Sequence, residues 1–220
     1  MSGGATLAGV SVARTPADFV RAGAPTLLLG HGAGSDYREA LVAAVRTGLA
    51  ARGYPGCSFN FPYREQGRRL PDRAPVLEAC VRDVAAALAA TADVPAGLVL
   101  GGKSMGGRIA SQAVAHGLVA CRGLLFLGYP LHPPGKPERL RTAHLTAVPV
   151  PMLFLSGTRD ALARRDLLED AVAALGARAT LHLVPDGDHS LAVPKRTGRT
   201  RPDVLAEIVQ VAANWLATLP

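Results

Sequence analysis

The stretch Leu98-Val-Leu-Gly-Gly-Lys-Ser104-Met-Gly-Gly107 runs from an apolar segment into a serine flanked by glycines. LVLG (98–101) is short and apolar throughout, the pattern of a strand buried on both faces. Gly102-Lys103-Ser104-Met105-Gly106 then fits G-x-S-x-G, and a helical pattern follows from Arg108 to Val119. The strand-turn-helix setting makes the motif informative. A sharp turn holds the serine in a strained backbone conformation, so the residues two before and two after must be small. The helix beyond directs its positive N-terminal end at the serine, where it favours a developing oxyanion.

Outward from this turn, the chain alternates apolar runs with helical patterns. TLLL (26–29) leads into Gly30-His31-Gly32-Ala33-Gly34, and a helix is expected over 37–51, with Asp36 and Glu39 at capping-box spacing. CSFN (57–60), LLFL (124–127), MLFLS (152–156) and TLHLV (180–184) read as further buried strands; helices are expected over 76–90, 164–175 and 202–216. This alternation predicts one α/β domain over residues 1–220, a doubly wound, mostly parallel sheet with helices on both faces. The segment 128–150 has only 23 residues and is rich in proline, too short for a lid domain and unable to form a long helix. An open site without a separate lid follows.

Such sheets place their ligands beyond the carboxyl ends of the strands. Asp160 stands there after MLFLS, in Gly157-Thr158-Arg159-Asp160, and His189 after TLHLV, in Asp186-Gly187-Asp188-His189-Ser190. Taken singly, Asp160 reads as a helix N-cap and His189 as a loop histidine. Together, after successive strands and in the chain order Ser, Asp, His, they read as an acyl-transfer triad: Ser104 nucleophile, His189 base, Asp160 orienting carboxylate. The backbone N–H groups of Met105 and Ala33 are the expected oxyanion hole. His31, Tyr63 and Arg64 are candidate substrate contacts, with His31 read more readily as a brace for its loop.

Rival chemistry fares less well. Residues 97–104 satisfy the P-loop expression G-x-x-x-x-G-K-S, but its middle positions are Leu-Val-Leu, whose amides belong to a sheet ladder rather than a phosphate cradle. Lys103 is considered as a Ser-Lys dyad partner, but a neighbour one residue away points elsewhere on the turn. His182 reads as a core histidine, and His116, His132 and His144 have no metal-ligand spacing. No metal or organic cofactor is expected.

Composition is that of an ordinary globular chain, 49% hydrophobic and 19% charged, with a formal net charge of +7. Lys195, Arg196, Arg199 and Arg201 form one basic cluster, read as a solvated loop; without aromatic partners it does not argue for nucleic acid. Cys57, Cys80 and Cys121 show no CxxC spacing and read as free thiols. The start, MSGGATLAGVSVARTP, lacks a signal-peptide pattern, and no apolar run is long enough for a membrane helix. A cytoplasmic protein with a small-molecule acyl substrate is expected; oligomeric state is left open.

The stretches GHGAGSD, FNFPYREQGRRLPDR, GGKSMGGRIAS, LGYPLHPPGKPERLRTAHL, LSGTRD and DGDHSL together resemble the small α/β-hydrolases related to dienelactone hydrolases. They look like the branch of testis-expressed and NSL-complex-subunit-like proteins, over nearly the whole length from Thr26 to Leu216. The proline-rich segment Gly128–Leu145 is the most specific part. The resemblance implies an α/β-hydrolase fold and a triad at Ser104, Asp160 and His189. Dienelactone hydrolases proper use cysteine where this chain has Ser104, so the resemblance delivers a fold and a mechanism without a substrate. A protein-interaction scaffold with idle catalytic residues is the alternative.

Overall fold

Two strands that the apolar pattern did not announce open the described chain, β1 (Thr6–Leu7) and β2 (Val10–Thr15). The computed structural model describes residues 5–91, 94 and 96–220. Six parallel strands follow: β3 (Thr26–Gly30), β4 (Gly56–Phe59), β5 (Leu98–Lys103), β6 (Gly123–Leu127), β7 (Met152–Gly157) and β8 (Ala179–Val184). The sheet order is β1-β2-β4-β3-β5-β6-β7-β8, with β1 and β2 attached antiparallel at one edge. This is the doubly wound, mostly parallel arrangement expected for an α/β-hydrolase fold.

Side chains alternate across a strand, so each apolar run feeds two cores. Leu28, Leu100, Leu124, Phe126, Met152 and Phe154 face one layer. That layer holds α3 (Ala74–Ala89), α4 (Met105–Ala115) and α5 (Arg165–Ala174). Leu27, Leu29, Val99, Leu125, Leu127, Leu153 and Leu155 face the other layer, with α1 (Ala40–Ala50) and α6 (Arg201–Leu216). The short α2 (Pro62–Glu65) follows β4. Each fully buried leucine contributes about 1.5–3 kcal/mol relative to an exposed one, which is why these runs are uninterrupted.

Two expectations change. The spacing Asp36–Glu39 forms no capping box: Glu39 itself is the N-cap of α1 and accepts from the Val42 N–H, while Asp36 accepts from Arg38. TLHLV is an edge strand rather than a fully buried one, and His182 is half-exposed, 2.6 Å from Glu207. The edge position leaves one side of β8 open to polar neighbours.

The segment 128–150 carries no inserted lid. Its regular element is a 3-10 turn, Ala143–Ala147, laid against α4. No helix among the described residues is long and apolar enough to cross a membrane.

Candidate active site

The turn between β5 and α4 is as tight as the glycines require. Ser104 sits at φ 49°, ψ −114°, left-handed territory for a residue with a side chain. Such a conformation costs about 1–3 kcal/mol and persists only where its surroundings impose it. Here β3 imposes it: a Cβ on Gly102 would lie 2.0 Å from the Gly30 carbonyl oxygen, and one on Gly106 2.3 Å from the same atom. The sequence therefore has no choice of residue on either side of the serine.

Three loops deliver the expected side chains to one another. His189 Nε2 lies 2.8 Å from Ser104 Oγ, and His189 Nδ1 lies 2.8 and 2.9 Å from the two Asp160 oxygens. A carboxylate only accepts, so Nδ1 carries the proton and Nε2 is left as the acceptor facing the serine hydroxyl. The Asp160 side chain is fully buried and takes a further hydrogen bond from the Leu162 N–H at 2.8 Å. His189 keeps 22% of its side-chain surface. The loops after β7 and β8 touch closely, since a Cβ on Gly157 would fall 2.1 Å from the Gly187 oxygen. Arg159 N–H donates to that same oxygen at 2.8 Å.

The loop after β3 lies over the serine. A Cβ added to Gly32 would stand 3.8 Å from Ser104 Cβ, and Ala33 lines the same cleft as Ser104. The N–H groups of Met105 and Ala33 make no hydrogen bond among the described residues. For Met105 the reason is its place at the first position of α4, where no intrahelical acceptor exists.

His31 and Tyr63 do not line the cleft that holds Ser104. Both are fully buried behind the loop: His31 Nδ1 donates to Gly32 O (2.7 Å), its Nε2 accepts from the Phe61 N–H (3.3 Å), and the Tyr63 hydroxyl accepts from the Gly34 N–H. They brace the loop after β3, and burial holds the His31 pKa below its ordinary value. Arg64 turns to the Arg68 carbonyl and is absent from the cleft lining. None of the three residues named as candidate substrate contacts lines the cleft that holds Ser104. Lys103 is no partner of Ser104; its ammonium bridges Glu39 and Ser190 Oγ, tying the start of α1 to the loop that carries His189.

The cleft itself encloses about 260 Å³. Beside Ser104, Met105 and Ala33 it is lined by Asp72, Arg108 and Arg141. Arg108 was legible in principle, because it stands four residues after the serine on a helix and so shares its face. Arg141 was not, since its position depends on how the proline-rich segment folds back.

No group of three or more metal-ligating side chains occurs among the described residues. Cys57 and Cys80 are buried free thiols whose pKa is pushed up by burial, to about 11 and about 12. Of the basic cluster, Arg196 pairs with Asp186, Arg199 with Glu207, and Arg201 donates to the Ser190 carbonyl. Lys195 and Arg196 stay exposed, as a solvated loop predicts, while Arg199 is drawn into a part-buried ion pair.

Residues 23–217 match the profile of the alpha/beta hydrolase domain family. The chain belongs to that family. The alpha/beta hydrolase superposes on a dienelactone hydrolase from Anabaena variabilis with a TM-score of 0.75 at 20% identity, covering 96% of this chain and 92% of that one. XC6422 from Xanthomonas campestris, described as an a/b serine hydrolase without lid, gives a TM-score of 0.71 at 20% identity over 99% and 96%. Est1E from Butyrivibrio proteoclasticus, in a structure with ferulic acid bound, gives 0.69 at 14% over 94% and 98%. At these identities the likeness establishes the fold, and the lidless neighbour agrees with the bare 128–150 segment of this hydrolase.

Proposed function

We propose that the protein is a serine hydrolase cleaving small esters or related acyl substrates by two-step acyl transfer to water. The observation that carries the reading is the unbroken chain of contacts from Ser104 Oγ through His189 to a buried Asp160. Ser104 Oγ attacks the carbonyl carbon as its proton passes to His189 Nε2; the proton then goes to the departing alkoxide. Water attacks the acyl-serine, gives its proton to His189, and the acid leaves as the serine is restored. Asp160 fixes the imidazole tautomer and stabilises the imidazolium. The N–H groups of Met105 and Ala33 hold the oxyanion, aided by the N-terminus of α4.

The short, lidless segment over the cleft suits small or exposed acyl groups. Its proline-rich sequence, Gly128–Leu145, is our ground for the testis-expressed and NSL-complex-subunit-like branch, and the free buried thiols for a reducing, cytoplasmic setting.

The test is turnover of p-nitrophenyl esters of increasing chain length by the protein and its Ser104→Ala variant. The expected outcome is hydrolysis of short esters, falling by about 10⁴- to 10⁶-fold in the variant. Equal turnover in both proteins would remove the proposal, and no turnover in either would favour the idle scaffold.

A further inference from the structure

Most arginines that make an ion pair here do so with a neighbouring carboxylate: Arg38 with Asp36, Arg68 with Asp72, Arg164 with Asp166 and Arg165 with Glu169. The two that line the cleft beside Ser104 do not. Neither Arg108 nor Arg141 has an acidic partner among the described residues. Arg108 gives Nη1 to Gln112 at 3.0 Å, while its Nε is buried with no partner. Burial lowers its pKa, and the charge of Arg141 lowers it further. Glu78 acts on Arg108 only weakly and from outside hydrogen-bond reach, so two guanidiniums are held near each other with no ion pair to either among the described residues; that is costly, and a bound anion offsets the cost.

We propose that this cleft receives an acyl group bearing a carboxylate, with Arg108 and Arg141 as the groups that bind it, so that the substrate is the monoester of a small dicarboxylic acid. The inference rests on the reading of Ser104 as nucleophile. Helical side chains lean toward the N-terminus of their helix, so Arg108, one turn beyond Ser104, leans back toward the serine. The position of Arg141 is set by its backbone: its N–H donates to Leu131 O at 2.7 Å and its carbonyl accepts from the buried Tyr129 hydroxyl at 2.8 Å. The His144–Ser111 contact, 2.8 Å, fastens the same segment to α4. The receptor is thus assembled from the nucleophile's own helix and the segment pinned to it.

Asp72 shares the cleft. Its Oδ1 takes Arg68 Nη2 at 2.6 Å, and its Oδ2 is buried without a partner. The two arginines outnumber this single carboxylate, which suits a monoanion and opposes a dianionic phosphate.

The experiment compares monomethyl adipate with methyl hexanoate, which has a methyl group where adipate has its carboxylate, by proton release at constant pH. The ratio of kcat/KM should favour the anion in the unaltered protein. Arg141→Gln should lower that ratio by about 10- to 100-fold through KM, the range for a lost hydrogen bond to a charged group. The Arg141 side chain makes no hydrogen bond among the described residues, so this change leaves the fold's bonding intact. Arg165→Gln, at an exposed pair on α5, should leave the ratio where it was. A ratio insensitive to Arg141→Gln, with methyl hexanoate still cleaved in a Ser104-dependent way, overturns the inference and spares the hydrolase reading. Binding of monomethyl adipate to Ser104→Ala by calorimetry decides the matter without turnover. Binding that is lost on adding Arg141→Gln supports the inference. No binding, or stronger binding of inorganic phosphate, overturns it.

Discussion

The two ends of the parallel sheet carry hollows of different character. At the amino ends of β3 and β4 lies a cavity of about 540 Å³, lined chiefly by Pro16, Ala17, Val20, Pro55, Cys57 and Leu88. At the carboxyl ends lies the smaller cleft, about 260 Å³, with Ser104, Arg108, Arg141 and Asp72 on its walls. Among the described residues the larger space holds no base beside its one thiol, and burial keeps that thiol protonated at neutral pH. Volume does not mark the site. What marks it is that parallel strands deliver their following loops, and the free N–H groups of the next helix, to one rim.

If that contrast is right, a substitution at the carboxyl rim should change chemistry while one at the amino end should change only stability. Beyond Ser104 itself, the largest difference is expected at Asp160→Asn, which leaves the fold in place but offers His189 a donor where it needs an acceptor. Turnover should fall by about 10³- to 10⁴-fold in steady-state assays with a short ester. A loss below tenfold would break the contrast at its most buried point.

A smaller effect sharpens it at the segment that carries Arg141. Burial holds the His144 pKa down at about 4, from an ordinary 6.5. The folded protein therefore keeps this ring neutral, while the unfolded chain takes up a proton below about pH 6.5. The stability tied to His144 is complete above that pH and is lost as pH falls toward 4. The ring is part-exposed, so the loss is on the order of 1 kcal/mol. Denaturant melts at pH 7 and pH 4.5 should show this drop, and His144→Gln, which cannot titrate, should shrink it. An unchanged drop in that variant would place the acid sensitivity elsewhere.

The smallest effect belongs to the amino end. Cys57→Ala should leave ester turnover within twofold while costing on the order of 1 kcal/mol of stability, from the lost packing of a buried thiol. A large fall in turnover would make the bigger cavity part of the chemistry.

The legible parts of this protein are those decided locally. Gly102, Ser104 and Gly106 are adjacent, and the close approach of Gly30 that demands them leaves its mark within five residues. Asp160 and His189 were readable because strand ends in an α/β alternation point one way. The strand Val10–Thr15 is hard to read from sequence because VSVART lies next to the sheet's edge, antiparallel to both neighbours, with only alternate residues buried, where a weak apolar pattern suffices. The Asp36–Glu39 spacing suggests a capping box, yet the Glu39 carboxylate itself caps α1 and meets Lys103, sixty-four residues away. His31 and Tyr63 sit beside glycines and a proline at the right rim, and only burial distinguishes a brace from a ligand contact. Arg141 depends on the fold of a segment with almost no regular structure.

The central claim is that Ser104 becomes acylated during turnover. Rapid-quench mass spectrometry after mixing with p-nitrophenyl acetate tests it most directly. One acetyl group on the peptide containing Ser104, formed faster than the steady state and absent in His189→Ala, is the predicted result. Ester turnover with no acyl group on that serine at any time would contradict the account.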